Sequence, residues 1–414
     1  MTISNDPMFK ELLAQAKRSQ ITRRTALAGA GATASALLLA ACAPGGGANK
    51  LTAAKDLSDT EKVVIWDNWP YYMDGNDDPH SPTITGFEKQ SGIKVTYNIN
   101  IDDNNTYFAS IKNQLAAGKD TGADTFCLTD WMAGRLIDAS YVQALDYSLM
   151  PNVTANFNEA FKTTFASFDP GRKYSITWKG IVAAVGYNKK LYKELTGQDA
   201  PTDLYKDILD NPKLKGKVEV LSEMRDTLGI MMAAKGIDPA SFTKNDFENT
   251  LNDFKKYVAS GQIRGVKGNS YVDDYLNGDA VAGIVWAGDI VGANLEQGND
   301  NLGVVLLESG STFACDNFMI PNGAVHSDNA HKLIDYYFDP EVAAELALGG
   351  VNYVTPVNGA KEAALAKDPN IGNNPLIFPS DDDYATKFKV FRSLTPAEDN
   401  EWSTAWSDAS NGVA

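Results

Sequence analysis

Aromatic residues cluster just past a predicted β-strand near the start of the chain. The apolar run Val63 to Trp66 predicts a buried strand, because β-branched and aromatic residues follow one another without polar alternation. Pro70 then breaks the extended chain and places Trp69, Tyr71 and Tyr72 beyond the carboxyl end of the strand, where open α/β sheets bind ligands. We expect at least one of these rings to contact a ligand; core packing is the alternative for each.

Two further tryptophans take the same kind of position. The segments Asp124 to Thr129 and Ala280 to Trp286 predict buried strands, and Trp131 opens the helix that follows the first of them. Trp286 ends the second strand, and the carboxylate of Asp289 comes three residues later. Both tryptophans are therefore predicted at the same rim as Trp69, with a core role for Trp131 as the alternative.

Three carboxylates complete the candidate site. Glu223 and Asp226 follow a predicted strand and fall on the first turn of a helix, where they can also simply cap amides and complement the helix dipole. Asp316 is a lone acid in the extended, apolar segment Gly310 to Pro321. A buried ionised carboxylate needs a partner, so we expect Asp316 to meet Arg225 or a bound cation.

Acids beside ring faces favour binding of a cationic solute. Ammonium groups gain about 0.5–2 kcal/mol on a ring face and about 1.5–3 kcal/mol per charge-assisted hydrogen bond. Paired acids beside tryptophans are also found in glycoside hydrolases. The enzymatic alternative is disfavoured because the acids are predicted on separate lobes or on one helix turn, and no nucleophile elbow, histidine triad or phosphate-binding glycine loop is visible.

Residues 1–41 read as an export signal of twin-arginine type. Arg23 and Arg24 precede an apolar run, Ala26 to Ala41, that is too short to span a bilayer as a finished helix. Small residues directly before Cys42 resemble the bacterial lipobox, in which the cysteine is lipidated and becomes the first mature residue. We therefore expect an exported protein, lipid-anchored to the cell membrane in the periplasm or on the outer face, with a flexible tether up to residue 60.

The charge balance excludes some partners. The full chain carries a formal net charge of −16, and loss of the signal, with its five basic and two acidic residues, makes it −19. Nucleic acid and anionic lipid surfaces are therefore poor partners, and a cationic solute is favoured.

Cysteine and histidine usage points to no cofactor chemistry. Cys127 and Cys315 are left after Cys42, and we expect two buried free thiols, although a disulfide stays open on sequence alone. The three histidines, at positions 80, 326 and 331, have no second ligand at metal spacing. We expect no metal site and no other cofactor.

Strands and helices alternate along the chain, which predicts an α/β fold with a mostly parallel sheet flanked by helices. Residues 141–177 look like an irregular surface excursion, and the chain is expected to cross between two lobes near Trp178. We assign 61–178 and 316–360 to lobe 1, and 179–315 and 361–414 to lobe 2. A ligand cleft would lie at the hinge, and the C-terminal helix with Trp402 and Trp406 would pack on lobe 2.

The order and spacing of these motifs resemble the spermidine/putrescine-binding proteins, the extracytoplasmic solute-binding components of ABC importers. The resemblance runs over roughly the whole chain after the signal. The motifs that carry it are the lipobox, Asn68–Trp69–Pro70–Tyr71–Tyr72, Leu128–Thr129–Asp130–Trp131, Glu223–Met224–Arg225–Asp226, Ile284–Val285–Trp286, Asp316 and Tyr353–Val354–Thr355–Pro356.

This resemblance implies a two-lobed periplasmic-binding-protein fold that holds a polyamine in an inter-lobe cleft and delivers it to a permease, as a monomer and not as an enzyme. The matching aromatic positions are Trp69, Tyr72, Trp131, Trp286 and Tyr353, and the matching acids are Glu223, Asp226 and Asp316. By the resemblance, the rings sandwich the methylene chain and the acids meet the ammonium ends.

Two positions depart from the family pattern. Many relatives have an aromatic residue two positions before the strand acid, where this chain has Ala314, and a glutamine of the family has no counterpart near Phe391. The identity of the cation is accordingly open. A sugar-binding protein of the same fold, or one for another organic cation, is the alternative, and ligand titration separates these cases.

Overall fold

The computed structural model of the chain describes residues 51–75 and 77–411; the predicted export signal, Cys42 and the tether up to residue 50 lie outside the described residues. The strands are β1 Val63–Asn68, β2 Lys94–Ile99, β3 Thr125–Thr129, β4 Ile176–Asn188, β5 Val218–Leu221, β6 Ile263–Lys267, β7 Ala282–Trp286, β8 Leu302–Val305, β9 Ser311–Met319 and β10 Phe388–Lys389. The helices are α1 Pro82–Ser91, α2 Asn104–Ala116, α3 Asp130–Asp138, α4 Pro151–Asn156, α5 Glu159–Thr163, α6 Lys189–Thr196, α7 Met224–Ala233, α8 Lys244–Ala259, α9 Tyr271–Asn277, α10 Ala287–Gln297, α11 Ser327–Tyr336, α12 Pro340–Leu348, α13 Ala360–Lys367, α14 Pro369–Gly372, α15 Asp381–Thr386 and α16 Pro396–Ser410. Short 3₁₀ turns lie at Tyr147–Leu149 and Pro212–Leu214, and a π-helical turn lies at Tyr205–Leu209.

Within the described residues the strands form one mixed sheet in the order β2-β1-β3-β9-β4-β7-β5-β6, with β10 beside β9 and β8 beside β4. Pairing is parallel between β1 and its neighbours β2 and β3, and between β5 and its neighbours β6 and β7. The predicted α/β class is thus confirmed. β4 and β9 join the two parallel groups by antiparallel pairing. The sequence did not reveal this direction, because both strands are buried and apolar, as parallel strands also are.

The long strand β4 links the two halves of the sheet. Its first part, around Ile181, pairs with β9, and its second part, from Ala183, pairs with β7 and β8. The sequence placed the end of an irregular segment at residue 177 and a crossing between lobes near Trp178. The structure has one strand of 13 residues here, with a register shift between Thr177 and Lys179.

Buried apolar side chains form two clusters. The first is built around Trp66, whose ring lies 5.4 Å from that of Trp178 and 5.2 Å from that of Phe318. The second contains β5 and β7, and there the C-terminal helix stacks Trp402 on Phe247 at 4.1 Å, as expected for that helix. Ala364, Ile377, Phe378 and Phe388 belong to the first cluster, whereas the prediction had assigned residues 361–414 to lobe 2.

Residues 141–177 are more ordered and more buried than a surface excursion. They contain α4 and α5, and Phe157 and Phe161 belong to the first apolar cluster. Arg172 is buried, and its guanidinium donates to the carbonyls of Phe161 (2.8 Å) and Phe165 (2.9 Å). The prediction of a surface excursion gave weight to the proline and asparagine residues of this segment and not to its aromatic residues, which pack in the core.

The segment before β1 is attached to the fold. Backbone amides of Ala54 and Leu57 donate to the carbonyls of Asn322 and Val325, both at 2.7 Å. Residues 54–58 are therefore held in place, although the sequence had predicted a flexible tether as far as residue 60.

Both described cysteines, Cys127 and Cys315, are free and buried, which confirms the expectation of two separate thiols. No helix in the described part of the chain has both the length and the apolar content needed to cross a membrane.

Candidate functional site

The ends of both parallel strand groups meet at the middle of β4 and β9. The last residue of β3, Thr129, pairs with Asp316 of β9, and the last residue of β7, Trp286, pairs with Ala183 of β4. Between these two pairs, Ile181 of β4 lies opposite Ala314 of β9. Side chains from both parallel groups therefore face one space at this crossing, as expected for a ligand site at strand carboxyl ends.

This space, the central cavity, collects seven of the eight predicted ligand-binding residues. They come from the loop after β1, from the start of α7, from the end of β7, from β9, and from the segment that bridges to β4. The predicted residues that line the cavity are Trp69, Tyr72, Glu223, Asp226, Trp286, Asp316 and Tyr353.

Asp316 is buried and held by two hydroxyl groups. Tyr72 Oη donates to one carboxylate oxygen at 2.6 Å, and Thr129 Oγ1 donates to the other at 2.7 Å. Burial raises the pKa of Asp316 to about 7, although both hydrogen bonds act in the opposite direction. The suggestion that Arg225 pairs with Asp316 is not met, because that guanidinium is bound to other acids.

Asp226 is held in the same manner on the first turn of α7. Trp286 Nε1 and Thr312 Oγ1 each donate to it at 2.8 Å. Burial raises the pKa of Asp226 to about 6. The ring of Trp286 is thus oriented by the acid beside it.

Glu223 is the N-cap of α7 and accepts from the Arg225 amide at 3.1 Å. The capping role considered from the sequence is therefore met, and the same side chain also lines the central cavity. Burial raises the pKa of Glu223 to about 7, opposed by the guanidinium of Arg225 at 3.4 Å.

A further acid, the buried Asp289, positions two tyrosines. Tyr271 Oη donates to it at 2.8 Å and Tyr353 Oη also donates to it, while Asn269 Nδ2 donates at 3.0 Å. Tyr271 in turn accepts from the backbone amide of Trp286 at 2.9 Å. Asp289 thereby fixes both the Tyr353 ring and the end of β7.

The tyrosine rings of the cavity lie against each other. The centroids of Tyr72 and Tyr353 are 4.5 Å apart, and each hydroxyl donates to a different aspartate, Asp316 and Asp289 respectively. Trp69 Nε1 donates to the carbonyl of Cys127 at 2.9 Å, which fixes this indole at the cavity wall.

The loop that delivers these rings is strained at Tyr71, whose φ of 64° lies in the left-handed region. The carboxylate of Asp77 holds this conformation by accepting from the amides of Tyr71 and Met73. Tyr71 itself does not line the central cavity.

The eighth predicted residue, Trp131, lines an adjoining space, the side chamber, together with Arg135, Arg225 and Asp399. The Arg225 guanidinium carbon lies 4.1 Å from the Trp131 ring centroid, and that of Arg135 lies 5.0 Å from it. Arg225 Nη2 donates to Asp399 at 2.7 Å, and Arg135 pairs with the same carboxylate. The aromatic face of Trp131 is therefore taken by side chains of the protein itself.

The carboxylates of the central cavity and of the side chamber differ in their hydrogen-bond and ion-pair partners. No lysine or arginine of the described ranges lies within ion-pair distance of Asp316, Asp226 or Asp289, whose partners are hydroxyl, indole and amide groups. Neutral donors support a carboxylate without cancelling its charge. The central cavity can thus attract a cation through acids already fixed in position.

Several contributors to the site were absent from the predicted set. Asp289 had been noted at a strand end but was not chosen, and Thr129 stood inside a quoted motif. Loop residues gave no periodic signal. The remaining lining residues are Asp102, Asp103, Asn104, Ile181, Ser222, Asn269 and Ala314.

Residues 83–376 match the family described as bacterial extracellular solute-binding protein, and the chain belongs to that family. This is a family of transport proteins and not of enzymes. The sequence-based resemblance to spermidine/putrescine-binding proteins is also confirmed by the relatives found.

One relative is the putrescine-binding periplasmic protein PotF of Escherichia coli (strain K12), 26% identical over 375 residues that cover 88% of this chain and 96% of that protein. Another is the spermidine/putrescine-binding periplasmic protein 1 of Haemophilus influenzae, 26% identical over 335 residues that cover 80% of this chain and 84% of that protein. Both relatives are matched over most of their length.

Among solved structures, the spermidine/putrescine ABC transporter substrate-binding protein PotD of Streptococcus pneumoniae has a TM-score of 0.67 and 22% identity, covering 86% of this chain and all of that one. The TpPotD lipoprotein of Treponema pallidum has a TM-score of 0.67 and 19% identity, covering 84% of this chain and 99% of that one. At these identities the likeness supports the fold.

Proposed function

We propose that this protein captures a polyamine, of the spermidine or putrescine class, in the central cavity and delivers it to the permease of an ABC importer. The observation that carries the proposal is a set of acids, the buried Asp316 and Asp226 and the half-buried Glu223, beside ring faces in one space. Only Glu223 among these three has an arginine partner within the described residues. The relatives named for polyamines are consistent with this assignment.

The energetics favour acids as the source of affinity and rings as the source of shape. Micromolar binding needs about −8 kcal/mol. Charge-assisted hydrogen bonds contribute about 1.5–3 kcal/mol each, while contacts of ammonium groups with ring faces contribute about 0.5–2 kcal/mol each. Two ammonium ends on fixed carboxylates, with a methylene chain between Trp69 and Trp286, would reach that total.

Isothermal titration calorimetry of the purified protein tests the assignment, with putrescine and spermidine as ligands and a neutral sugar and a quaternary amine as comparisons. We expect micromolar or tighter binding of at least one polyamine. Binding of a sugar with no response to either amine would favour the alternative of a sugar-binding protein of this fold. Response to the quaternary amine alone would identify another organic cation.

Capture is proposed to be coupled to closure of two lobes. Trp69 and Asp316 would hold the ligand from lobe 1, and Glu223 and Trp286 from lobe 2, so that ligand favours the closed form read by the permease. Small-angle scattering should then show a smaller radius of gyration with saturating ligand. An unchanged radius would contradict this step.

Anchoring by a lipid on Cys42 is proposed from the lipobox. We expect the exported protein to fractionate with membranes as a monomer, and Cys42→Ser to release it into the soluble fraction with unchanged ligand affinity. Retention of the Cys42→Ser variant on membranes would contradict lipid anchoring through that residue.

A further inference from the structure

An ion pair in the side chamber connects the two halves of the fold. Helix α3 packs into the first apolar cluster through Met132 and Leu136, whereas α7 and α16 pack into the second. We call the elements of these clusters the first half and the second half. Arg135 of α3 pairs with Asp399 of α16, so this contact crosses from the first half to the second. Asp399 also pairs at 2.7 Å with Arg225 of α7, within the second half.

A ring contact crosses between the halves at the same place. Trp131 belongs to α3, and the guanidinium carbon of Arg225 from α7 lies 4.1 Å from its ring centroid. The three charged side chains are partly removed from solvent, with exposed fractions of 12% for Arg225, 19% for Asp399 and 31% for Arg135. Ion pairs in such surroundings are screened less than pairs on an open surface. The contact between the halves can therefore contribute measurably to their arrangement.

Helix α16 holds Asp399 rigidly on the second half. The ring of Trp402 stacks on Phe247 at 4.1 Å, and Trp406 Nε1 donates to the carbonyl of Ser222 at 2.8 Å. Asp399 lies on the first turn of this helix. The carboxylate that meets Arg135 is thus presented by a packed helix, so a movement of the second half carries it along.

We infer that Arg135, Asp399 and Arg225, together with the Trp131 ring, form a latch that holds the two halves closed over the central cavity. None of these side chains lines the central cavity, so the latch acts on the two halves and not on the ligand. A rotation about β4 and β9 that opens the cavity would separate α3 from α16 and part Arg135 from Asp399. The free energy of this contact is then present only in the closed form, and it shifts the balance between open and closed forms whichever solute binds. The inference rests on the closure proposed above and adds a device that works before ligand arrives.

A second ion pair of the side chamber lies within the second half alone. Arg392 pairs with Glu398 of α16 at 2.7 Å, and its guanidinium carbon lies 4.4 Å from the ring of Phe242, a residue of the second apolar cluster. Opening of the two halves would leave this pair intact. Because the side chain of Arg392 is 22% exposed, its loss is comparable with the loss of Arg135. Arg392→Gln is therefore the matched control for Arg135→Gln.

Distances between the halves in the ligand-free protein test the latch without reference to any solute. Spin labels are placed at Lys112→Cys on α2 of the first half and at Lys255→Cys on α8 of the second half, both exposed positions. The Cys42→Ser form is used, and Cys127 and Cys315 are buried and stay unlabelled. Double electron–electron resonance then gives the populations of the shorter, closed distance and of the longer, open distance.

Arg135→Gln should lower the ratio of closed to open protein about fivefold, whereas Arg392→Gln should leave it as in the wild type. Arg135→Lys, which keeps the positive charge, should retain most of the closed population. Urea unfolding curves establish that each variant is folded. The same distance distribution in Arg135→Gln and in the wild type, or an equal shift in Arg392→Gln, overturns the inference.

Titration calorimetry with putrescine measures the consequence for binding. Because the latch favours the closed form, Arg135→Gln should bind putrescine about fivefold more weakly, and Arg392→Gln should bind it as the wild type does. Equal affinities of the two variants would contradict a latch that assists capture. Failure of the wild type to bind putrescine would instead refute the proposed function, and the ligand-free distances would still decide on the latch.

Discussion

The central cavity and the side chamber both place acids beside a tryptophan. They differ in whether arginine side chains pair with those acids. In the side chamber, Asp399 is bound by two arginines, and a guanidinium lies on the Trp131 ring. In the central cavity, Asp316 accepts from Tyr72 and Thr129 and has no basic partner among the residues that the structure describes. In the side chamber, basic side chains of the protein itself already neutralise the acid. In the central cavity, the carboxylates outnumber the basic groups that pair with them.

The pKa values follow this difference. The arginine partners hold the pKa of Asp399 below its usual range against the effect of burial. Burial without a cation raises the pKa of Asp316 to about 7. An acid with a raised pKa in a cavity is a candidate for ligand binding, and an acid with a lowered pKa beside arginine is a structural contact.

The largest expected effect comes from removing the charge of the unneutralised acid. Asp316→Asn should weaken putrescine binding about 100-fold, because a charge-assisted hydrogen bond worth about 1.5–3 kcal/mol is lost. Isothermal titration calorimetry at pH 8 measures the putrescine affinity of the wild type and of the variant. A smaller loss for Asp316→Asn than for Trp286→Phe would mean that rings, and not acids, supply most of the affinity.

Affinity should depend on pH through the same acids. With the pKa of Asp316 and Glu223 near 7 and that of Asp226 near 6, each carboxyl is increasingly protonated below these values. Because an ammonium group binds the ionised form, affinity should fall about 30-fold or more from pH 8 to pH 5.5. Calorimetry in buffers of different ionisation enthalpy should also detect proton release on binding at pH 6. Constant affinity and no proton release would contradict raised pKa values.

The same substitution should have opposite effects on stability in the two regions. The raised pKa of Asp316 means that its charge costs stability increasingly as pH rises from about 4 to about 7, so Asp316→Asn should stabilise the ligand-free protein by about 1–2 kcal/mol at pH 8. The lowered pKa of Asp399 means that its charge contributes stability, present above its unfolded pKa and lost on acidification. Asp399→Asn should therefore destabilise by about 1–2 kcal/mol at pH 8.

Urea unfolding without ligand measures both variants at pH 8 and pH 5. The gain for Asp316→Asn should shrink at pH 5, where the wild-type carboxyl is largely protonated. Destabilisation by both substitutions at pH 8 would remove the distinction between the two regions.

The smallest expected effect belongs to the ring that orients an acid. Trp286→Phe keeps an aromatic face but removes the Nε1 donor to Asp226, so putrescine affinity should fall about threefold. Titration calorimetry compared with Tyr205→Phe, whose ring lies outside the central cavity, provides the control. Equal affinity in the two variants would show that this indole hydrogen bond does not position Asp226 for binding.

Residue type and position after a strand predicted most of the residues that line the central cavity. This is because the residues that follow parallel strands all lie at the same edge of the sheet. Trp69, Trp286 and the α7 acids were found in this way. The sequence could not predict that arginine side chains cover the Trp131 ring. Asp399, which pairs with these arginines, lies 268 positions further along the chain. Nor did the sequence indicate that β4 and β9 run antiparallel, because fully buried strands of either direction have the same apolar pattern.

The crystal structure of the protein with putrescine tests the central claim most directly. We expect one ammonium nitrogen within hydrogen-bond distance of Asp316, the methylene chain against Trp69 and Trp286, and Arg225 still on Trp131. Putrescine bound elsewhere, or found in the side chamber with Arg225 displaced and Asp316 free of any ammonium group, would contradict the account.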